Sequence, residues 1–477
     1  MPVRTYTPHL GGRFVPLGRR ALEEVTAPFD GRRLARIAVG TSGDLDQAIA
    51  YAREGAARLQ ALSRRQRADF LARAAEALRR RQHEFAALIA ADAGKPVTLA
   101  EAEVSRCITV LRLSAEEAPR FGVTAVSGDP DSRGAGRLGL VERVPVGLVA
   151  AISPFNFPLN LVAHKVAPAL ATGNAVVLKP PPQAPLAAFH LTELLTECGA
   201  PPGALQVLHL PIPIAERLAR DEAFALLSFT GSAKVGWHLK SVAGRKRVVL
   251  ELGGNAATIV HSDVEDLPQV AARIAWGAFA YAGQVCIKVQ RLLVHRPIYR
   301  RFVNRVMEAA RALKNGDPGD SATVIGPMID DGAVDRVTTW VREAVAGGAT
   351  PLLQGRRRGR LLGPTILEGA RRDMKVVAEE VFGPVLTVAP YGTWREALAL
   401  ANASRYGLQA GVYTNDQRRI FDAFRTLEVG GVIINDLPTF RLDHLPYGGV
   451  KASGFGREGI RSAMETMTEE RVMILRA

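Results

Sequence analysis

From residue 146 onward, short apolar runs alternate with segments of helical pattern. The runs are VGLVAAIS, NAVVLK, LQVLHL, ALLSF and RVVLEL, and the segments between them are 159–171, 186–198, 213–220 and 232–241. Apolar strands alternating with helices predict βαβ units and a parallel sheet buried on both faces. A second stretch of the same kind follows. Residues 265–281 and 297–314 read as helices, and RLLVH, KVVAEEVFGPVLTV, GLQAGVYT and VGGVIIN contain strands. The fold class is therefore α/β with two such domains. The 477 residues suit that division, at roughly 100–200 residues per domain. Upstream, 42–92 reads as two or three amphipathic helices, with Ser42 and Asp44 as N-cap candidates and Gly94-Lys95-Pro96 as a stop. Another helix spans 98–119. Residues 121–138 are loop-rich with short strands, and 354–363 reads as an exposed turn region.

Net charge is +14 and the pI about 10.1. The basic residues are scattered, as in RRQR, RRRQ and GRRRGR, with no aromatic interleaving, so no nucleic-acid partner is expected. A basic field does favour anionic cofactors and substrates. The longest apolar region, 146–163, is interrupted by Ser153, Pro154, Asn156, Pro158 and Asn160, so no membrane helix is expected. The opening MPVRTYTPHLGGRF has no apolar signal region. Cys107, Cys198 and Cys286 are widely spaced and odd in number. They form neither a disulfide framework nor a metal-ligand pattern, which predicts reduced thiols, a cytoplasmic protein and no metal. Cys107 and Cys198 lie in or at the end of helical patterns and read as structural.

A parallel sheet binds ligands beyond the carboxyl ends of its strands. Polar residues recur where those ends should be. Asn156 follows the first strand in ISPFNFPLN, and Lys179 ends the next in LKPPPQAP. Gly231-Ser232 forms a strand-to-helix turn in FTGSAKVG, with backbone N–H groups for a pyrophosphate, and Glu251 precedes two glycines in LELGGN. No GxGxxG falls within the 146–252 run of strands and helices, so spacing alone does not establish a dinucleotide site there. Taken singly, each residue is explained as a cap, a solvated charge or a turn. As a set they converge on one edge, facing Cys286 in FAYAGQVC. That set suits one chemistry: a thiolate attacks an electrophilic carbon, an amide and a backbone N–H hold the oxyanion, a carboxylate activates water, and a dinucleotide takes a hydride.

With these residues placed, the chain resembles the aldehyde dehydrogenase superfamily over nearly its whole length. SPFNFP, VVLKP, FTGS, ELGG, GQVC, EEVFGPV and PYGGVKASGFGREG occur in the family's order, with Cys286 35 positions after Glu251. The resemblance implies two Rossmann-like α/β domains with parallel-sheet cores and a small β oligomerisation arm. The dinucleotide-binding domain would be 1–120 and 143–252, the catalytic domain 253–440 and the arm 121–142 with 465–477. Residues 441–464 would form a substrate-site and interdomain segment. It implies NAD(P)-dependent oxidation of an aldehyde to its acid through a cysteine thioester, by a homodimer or homotetramer.

The resemblance also assigns roles. Cys286 matches the nucleophile, Asn156 and the Cys286 N–H the oxyanion hole, and Glu251 the base. Lys179 matches the contact to the adenosine ribose, and Gly231 and Ser232 the pyrophosphate turn. Glu380 and Phe382 match the nicotinamide pair, and Pro154, Phe155 and Gly253 border the cofactor. Pro182 stands three residues after Lys179, where NAD-preferring relatives often carry Glu, so the cofactor is NAD or NADP. Tyr281 replaces an Asn common before the cysteine and is expected to alter loop packing. VLRLSAEEA and FRLDHLPYGG resemble the non-phosphorylating glyceraldehyde-3-phosphate, lactaldehyde and phosphonoacetaldehyde dehydrogenases. On that likeness Arg112 and Arg441 hold a substrate anion. Val285 and Phe157 stand where phosphate users carry an arginine and an aromatic hydroxyl. A small hydroxylated or anionic aldehyde is expected. Two alternatives are a CoA-acylating dehydrogenase, which commonly lacks the Glu of ELGG, and a non-catalytic protein of the same fold, which usually loses the Cys or the Glu.

Overall fold

A computed structural model describes residues 3–476. Residues 1, 2 and 477, included in the domain and arm assignments above, lie outside the described residues. The five apolar runs form β1 (Leu148–Ile152), β2 (Ala175–Lys179), β3 (Leu205–Val207), β4 (Leu226–Thr230) and β5 (Arg247–Glu251). They are mutually parallel in the order β5-β4-β1-β2-β3. β1 and β3 are buried at every position, so this sheet is covered on both faces. Its cover includes α1 (Ser42–Ala61), α2 (Arg64–Arg80), α3 (Gln82–Ala93), α4 (Val97–Glu117), α5 (Asn160–Thr172), α6 (Leu186–Glu197) and α7 (Ala233–Val242).

The second domain repeats the principle. β6 (Ala257–Val260), β7 (Arg291–His295), β8 (Thr365–Glu368), β9 (Val385–Tyr391), β10 (Gln409–Tyr413) and β11 (Gly431–Ile434) run parallel in the order β8-β9-β7-β6-β10-β11. Strand Thr350–Leu353 adds an antiparallel edge beside β8. α8 (Leu267–Phe279) packs on this sheet and leads into the Cys286 loop. A third sheet joins Val123–Ser127, Arg137–Pro145 and Thr468–Arg476, all antiparallel, with the long middle strand continuing to Pro145. Val472, Met473, Ile474 and Leu475 are exposed on its outer strand. No helix among the described residues is long and apolar enough to cross a membrane.

Several local expectations are corrected. The N-cap of α1 is Thr41; Asp44 is its N3 partner, closing a capping box. Residues 213–220 form two single turns, Ile212–Ala215 and Arg217–Arg220. KVVAEEVFGPVLTV begins as a helical turn, Lys375–Ala378, and becomes strand only at Val385. The 354–363 turn is a short hairpin, Arg357–Arg358 with Leu361–Leu362. Helices Asp331–Ala346, Trp394–Asn402 and Gln417–Thr426 had no counterpart in the sequence reading.

The segment 441–464 stitches the two domains. Gly454–Phe455 pairs antiparallel with β5. Ser453, fully buried, donates from Oγ to the Gly253 carbonyl at 2.7 Å and accepts from the Gly407 N–H at 2.9 Å. One hydroxyl thus satisfies two backbone groups. Removing it leaves both buried and unpaired, at a cost of about 1–3 kcal/mol. Ser453→Ala is expected to lower the thermal unfolding midpoint. An unchanged midpoint would show that the two backbone groups find other partners.

Candidate active site

Strand register gathers the expected residues. Lys179 lies opposite Ile152, Ile152 opposite Phe229, and Thr230 opposite Glu251. The carboxyl ends of β1, β2, β4 and β5 therefore share one edge. Asn156 follows β1 and is buried. Lys179 donates to the Pro180 carbonyl at 3.2 Å, and burial pushes its ammonium down to about 8, against the attraction of Glu23. Gly231 precedes α7, where a Cβ would lie 2.5 Å from Phe229 Cζ. Ser232 caps α7 by accepting from the Val235 N–H at 3.4 Å.

These groups fit an anionic dinucleotide: a desolvated ammonium with a single carbonyl acceptor, and a helix N-terminus opened by a glycine. Pro182 is exposed three residues beyond Lys179 and places no carboxylate there. Phe155 packs edge-to-face on Phe382 at 5.8 Å, and Pro154 is half-buried beside it. Phe382 itself sits at φ 45°. The Glu380 carboxyl lies against Gly253, where a Cβ would fall 2.0 Å from Oε2, and it accepts from the Gly254 N–H at 3.2 Å. Burial pushes Glu380 up to about 7 despite that hydrogen bond.

The Cys286 loop begins in a left-handed turn. Tyr281, Ala282 and Gly283 have φ of 53°, 52° and 67°. For Tyr and Ala this costs about 1–3 kcal/mol each and requires support. Tyr281 supplies it, donating from Oη to the Ala93 carbonyl at 3.0 Å and from N–H to the Val324 carbonyl at 2.9 Å. Asn156 Nδ2 crosses to this loop and donates to the Gln284 carbonyl at 3.0 Å. Cys286, half-buried, lies 3.6 Å from the Tyr447 hydroxyl. Burial pushes its thiol up to about 11; Tyr447 opposes that shift.

Glu251 is buried with both carboxylate oxygens unpartnered. Burial, then repulsion from Glu458, holds it well above the usual carboxylate range, against Arg441, Lys165 and Arg457. Glu458 goes the other way. Burial opposes its charge, but Lys165 at 3.0 Å and Arg441 at 3.3 Å hold it down at about 2. A neutral carboxyl beside an ionised one is the division expected when two acids share a low-dielectric site. The approach of Glu251 depends on Gly448, where a Cβ would lie 2.9 Å from Oε1.

The model of the aldehyde dehydrogenase family matches residues 17–473. The chain belongs to the aldehyde dehydrogenase family. It is 46% identical to a 3-sulfolactaldehyde dehydrogenase of Priestia aryabhattai over 453 residues, covering 95% of this chain and 94% of that one. It superposes on aldehyde dehydrogenase 21 from Physcomitrella patens, in complex with the reaction product succinate, with TM-score 0.97, 39% identity and 100% and 99% coverage of the two chains. The NADP-dependent glyceraldehyde-3-phosphate dehydrogenase from Bacillus halodurans, complexed with NADP, matches with TM-score 0.95, 36% identity and 99% coverage of each. The expected fold and enzyme class are those of this family, and NAD or NADP is the cofactor of its solved members.

A cavity of about 150 Å³ is walled by Lys95, Arg106, Phe157, Trp276, Tyr281 and Val285, the residue before Cys286. Phe157 and Val285 both line it. Arg112 does not. It lies exposed on α4 and pairs with Glu116 at 3.4 Å. Six residues along a 3.6-residue helix turn the side chain well away from Arg106, and Arg106 is the α4 arginine in the wall. Arg441 is not a free anion contact either. Its side chain is 5% exposed, pairs with Glu458 and stacks on the Tyr447 ring at 3.8 Å. Lys95, also unread in the sequence, pairs with Glu103 at 2.5 Å and sits 3.6 Å above the Phe157 ring. Its signal was an acidic residue, Glu103, on the buried stripe of α4.

Glu380 gives a pH test. The folded state keeps its proton to about pH 7, whereas the ordinary value is 4.5. Its contribution to stability therefore falls as pH rises between those values. Glu380→Gln is expected to gain stability over the parent between pH 5 and pH 8, by up to about 3 kcal/mol. Paired thermal unfolding at the two pH values measures it. A constant difference would show an ordinary carboxylate.

Proposed function

We propose that this chain oxidises a small anionic or hydroxylated aldehyde to its carboxylic acid, with NAD or NADP, through a thioester on Cys286. The observation that carries the reading is the meeting of three groups across the domain junction. Cys286 lies on the loop whose Gln284 carbonyl accepts from Asn156, and Glu251 ends the strand beside it with both oxygens available. Cys286 attacks the aldehyde carbon as a thiolate. One Asn156 amide N–H is engaged by Gln284; the second, with the Cys286 N–H, faces the oxyanion. Lys179, Gly231, Ser232, Glu380 and Phe382 hold the cofactor, which when bound accepts the hydride. Glu251 then takes a proton from the water that attacks the thioester. A carboxyl held above its usual range is a stronger base once ionised, which suits that step.

Arg106 supports the anionic substrate. It reaches the cavity wall with its guanidinium fixed by two bonds to Asp443, Nε–Oδ2 at 3.0 Å and Nη2–Oδ1 at 2.6 Å. The relatives named above act on a sulfonate or a phosphate, or hold a dicarboxylate product. Pro182 leaves room for either nicotinamide cofactor. We assign the three-stranded sheet with its exposed Val472 to Leu475 to a homodimer or homotetramer contact.

Reduction of NAD and NADP across lactaldehyde, succinate semialdehyde, glyceraldehyde 3-phosphate and hexanal tests this. Small anionic or hydroxylated aldehydes are expected to lead; a clear preference for hexanal would refute the anion site. Arg106→Met is expected to cut kcat/KM for anionic aldehydes at least about tenfold while sparing hexanal. Cys286→Ala is expected to abolish oxidation and retain cofactor binding. Near-normal turnover in that variant would sink the nucleophile.

A further inference from the structure

We propose that the Tyr447 hydroxyl is itself a catalytic group, the hydrogen-bond donor that holds the Cys286 sulfur as a thiolate, and that Arg441 positions its ring. The inference rests on Cys286 as nucleophile. The sulfur lies in a desolvated place, and among the described residues Tyr447 is its one side-chain hydrogen-bond partner, at 3.6 Å. Asn156 is turned to the Gln284 carbonyl. The titratable and charged groups facing Cys286 are Tyr447, Glu380, Glu251 and Arg441; both carboxyls oppose its ionisation.

Tyr447 is fixed from three sides. Its backbone exchanges two hydrogen bonds with Glu458, at 3.0 and 2.7 Å. Its ring packs with Ile287 and Leu408. The Arg441 guanidinium covers one ring face at 3.8 Å and is anchored to the Glu458 carboxylate at 3.3 Å. A buried cation over an aromatic face is held by the ring quadrupole, and here it keeps the phenol from swinging away from sulfur. Hydrogen bonds to an anion are stronger than those between neutral groups. The bond from Tyr447 is therefore strongest to the free thiolate, both before attack and when the acyl group leaves. Tyr447 keeps its own proton throughout.

The test is alkylation of Cys286 by iodoacetamide across pH in the full-length protein. It is done in a Cys198→Ser background, because Cys198 is partly exposed and Cys107 is buried. Tyr447→Phe is expected to raise the apparent pKa of alkylation by about one unit and to slow the reaction about tenfold at pH 8. An unchanged profile overturns the proposal. Arg441→Lys keeps the charge and loses the planar stack. It is expected to shift the profile when Tyr447 is present and not in the Tyr447→Phe background. An equal shift in both overturns the positioning role. Should Arg441→Lys not fold, Tyr447→Phe decides alone. The readout needs neither aldehyde nor cofactor, so failure of the substrate reading leaves it intact. Absence of Cys286 alkylation in the parent at every pH would sink the nucleophile and the proposal with it.

Discussion

Gln284 is fully buried, and its amide fastens the Cys286 loop to the chain around Pro327 and Ile329. Oε1 accepts from the Ile329 N–H at 2.9 Å, while Nε2 donates to the Pro327 and Tyr281 carbonyls at 3.1 and 3.3 Å. Its own backbone carbonyl accepts from Asn156. One residue therefore ties the left-handed turn at 281–283 to its supports and joins the loop to the first domain. Without it, the unfavourable φ values of Tyr281 and Ala282 would relax, and the sulfur two residues on would lose its place. The same bond fixes how Asn156 is turned, which on the proposed mechanism pre-organises an oxyanion donor.

The charges behind the site form a connected chain. Lys165 and Arg441 flank Glu458; Arg441 continues to His164 and Asp443, and Asp443 to Arg106 in the substrate wall. Burying such pairs is weak evidence for stability, since desolvation offsets attraction. What it does here is divide the protons. Two cations favour the ionised form of Glu458, while Glu251, buried without a hydrogen bond, is held above the usual carboxylate range.

Much of the site was legible because a parallel sheet turns sequence order into spatial order. Lys179 and Glu251 end a strand and Asn156 and Gly231 follow one, and register brings those strand ends to one edge. Cys286 was legible by its company. The arginines were not, because two arginines six apart on α4 differ only in helical phase. The buried positions 100, 103, 104, 107, 110, 111 and 114 set that phase, and it takes tertiary packing to say which flank meets the cavity. Arg441 was misread because it follows a loop, where no periodicity reports burial. Tyr447 was passed over because a tyrosine between Pro and two glycines reads as turn filler.

The wall of the cavity carries a consequence for turnover. Each cation there has its own carboxylate: Lys95 has Glu103, and Arg106 has Asp443. The pocket is therefore a set of oriented donors with little net charge. Oxidation of an aldehyde converts a neutral carbonyl into a carboxylate, so the acid product is more negative than the aldehyde by one charge. A wall of unpaired cations would grip that product most tightly of all and slow its release. On the anionic-substrate proposal, paired cations supply directional hydrogen bonds to the anionic substituent while limiting the Coulombic pull on the product. The same pairing favours the charged form of Lys95: burial pushes its ammonium down to about 8, and Glu103 opposes that shift.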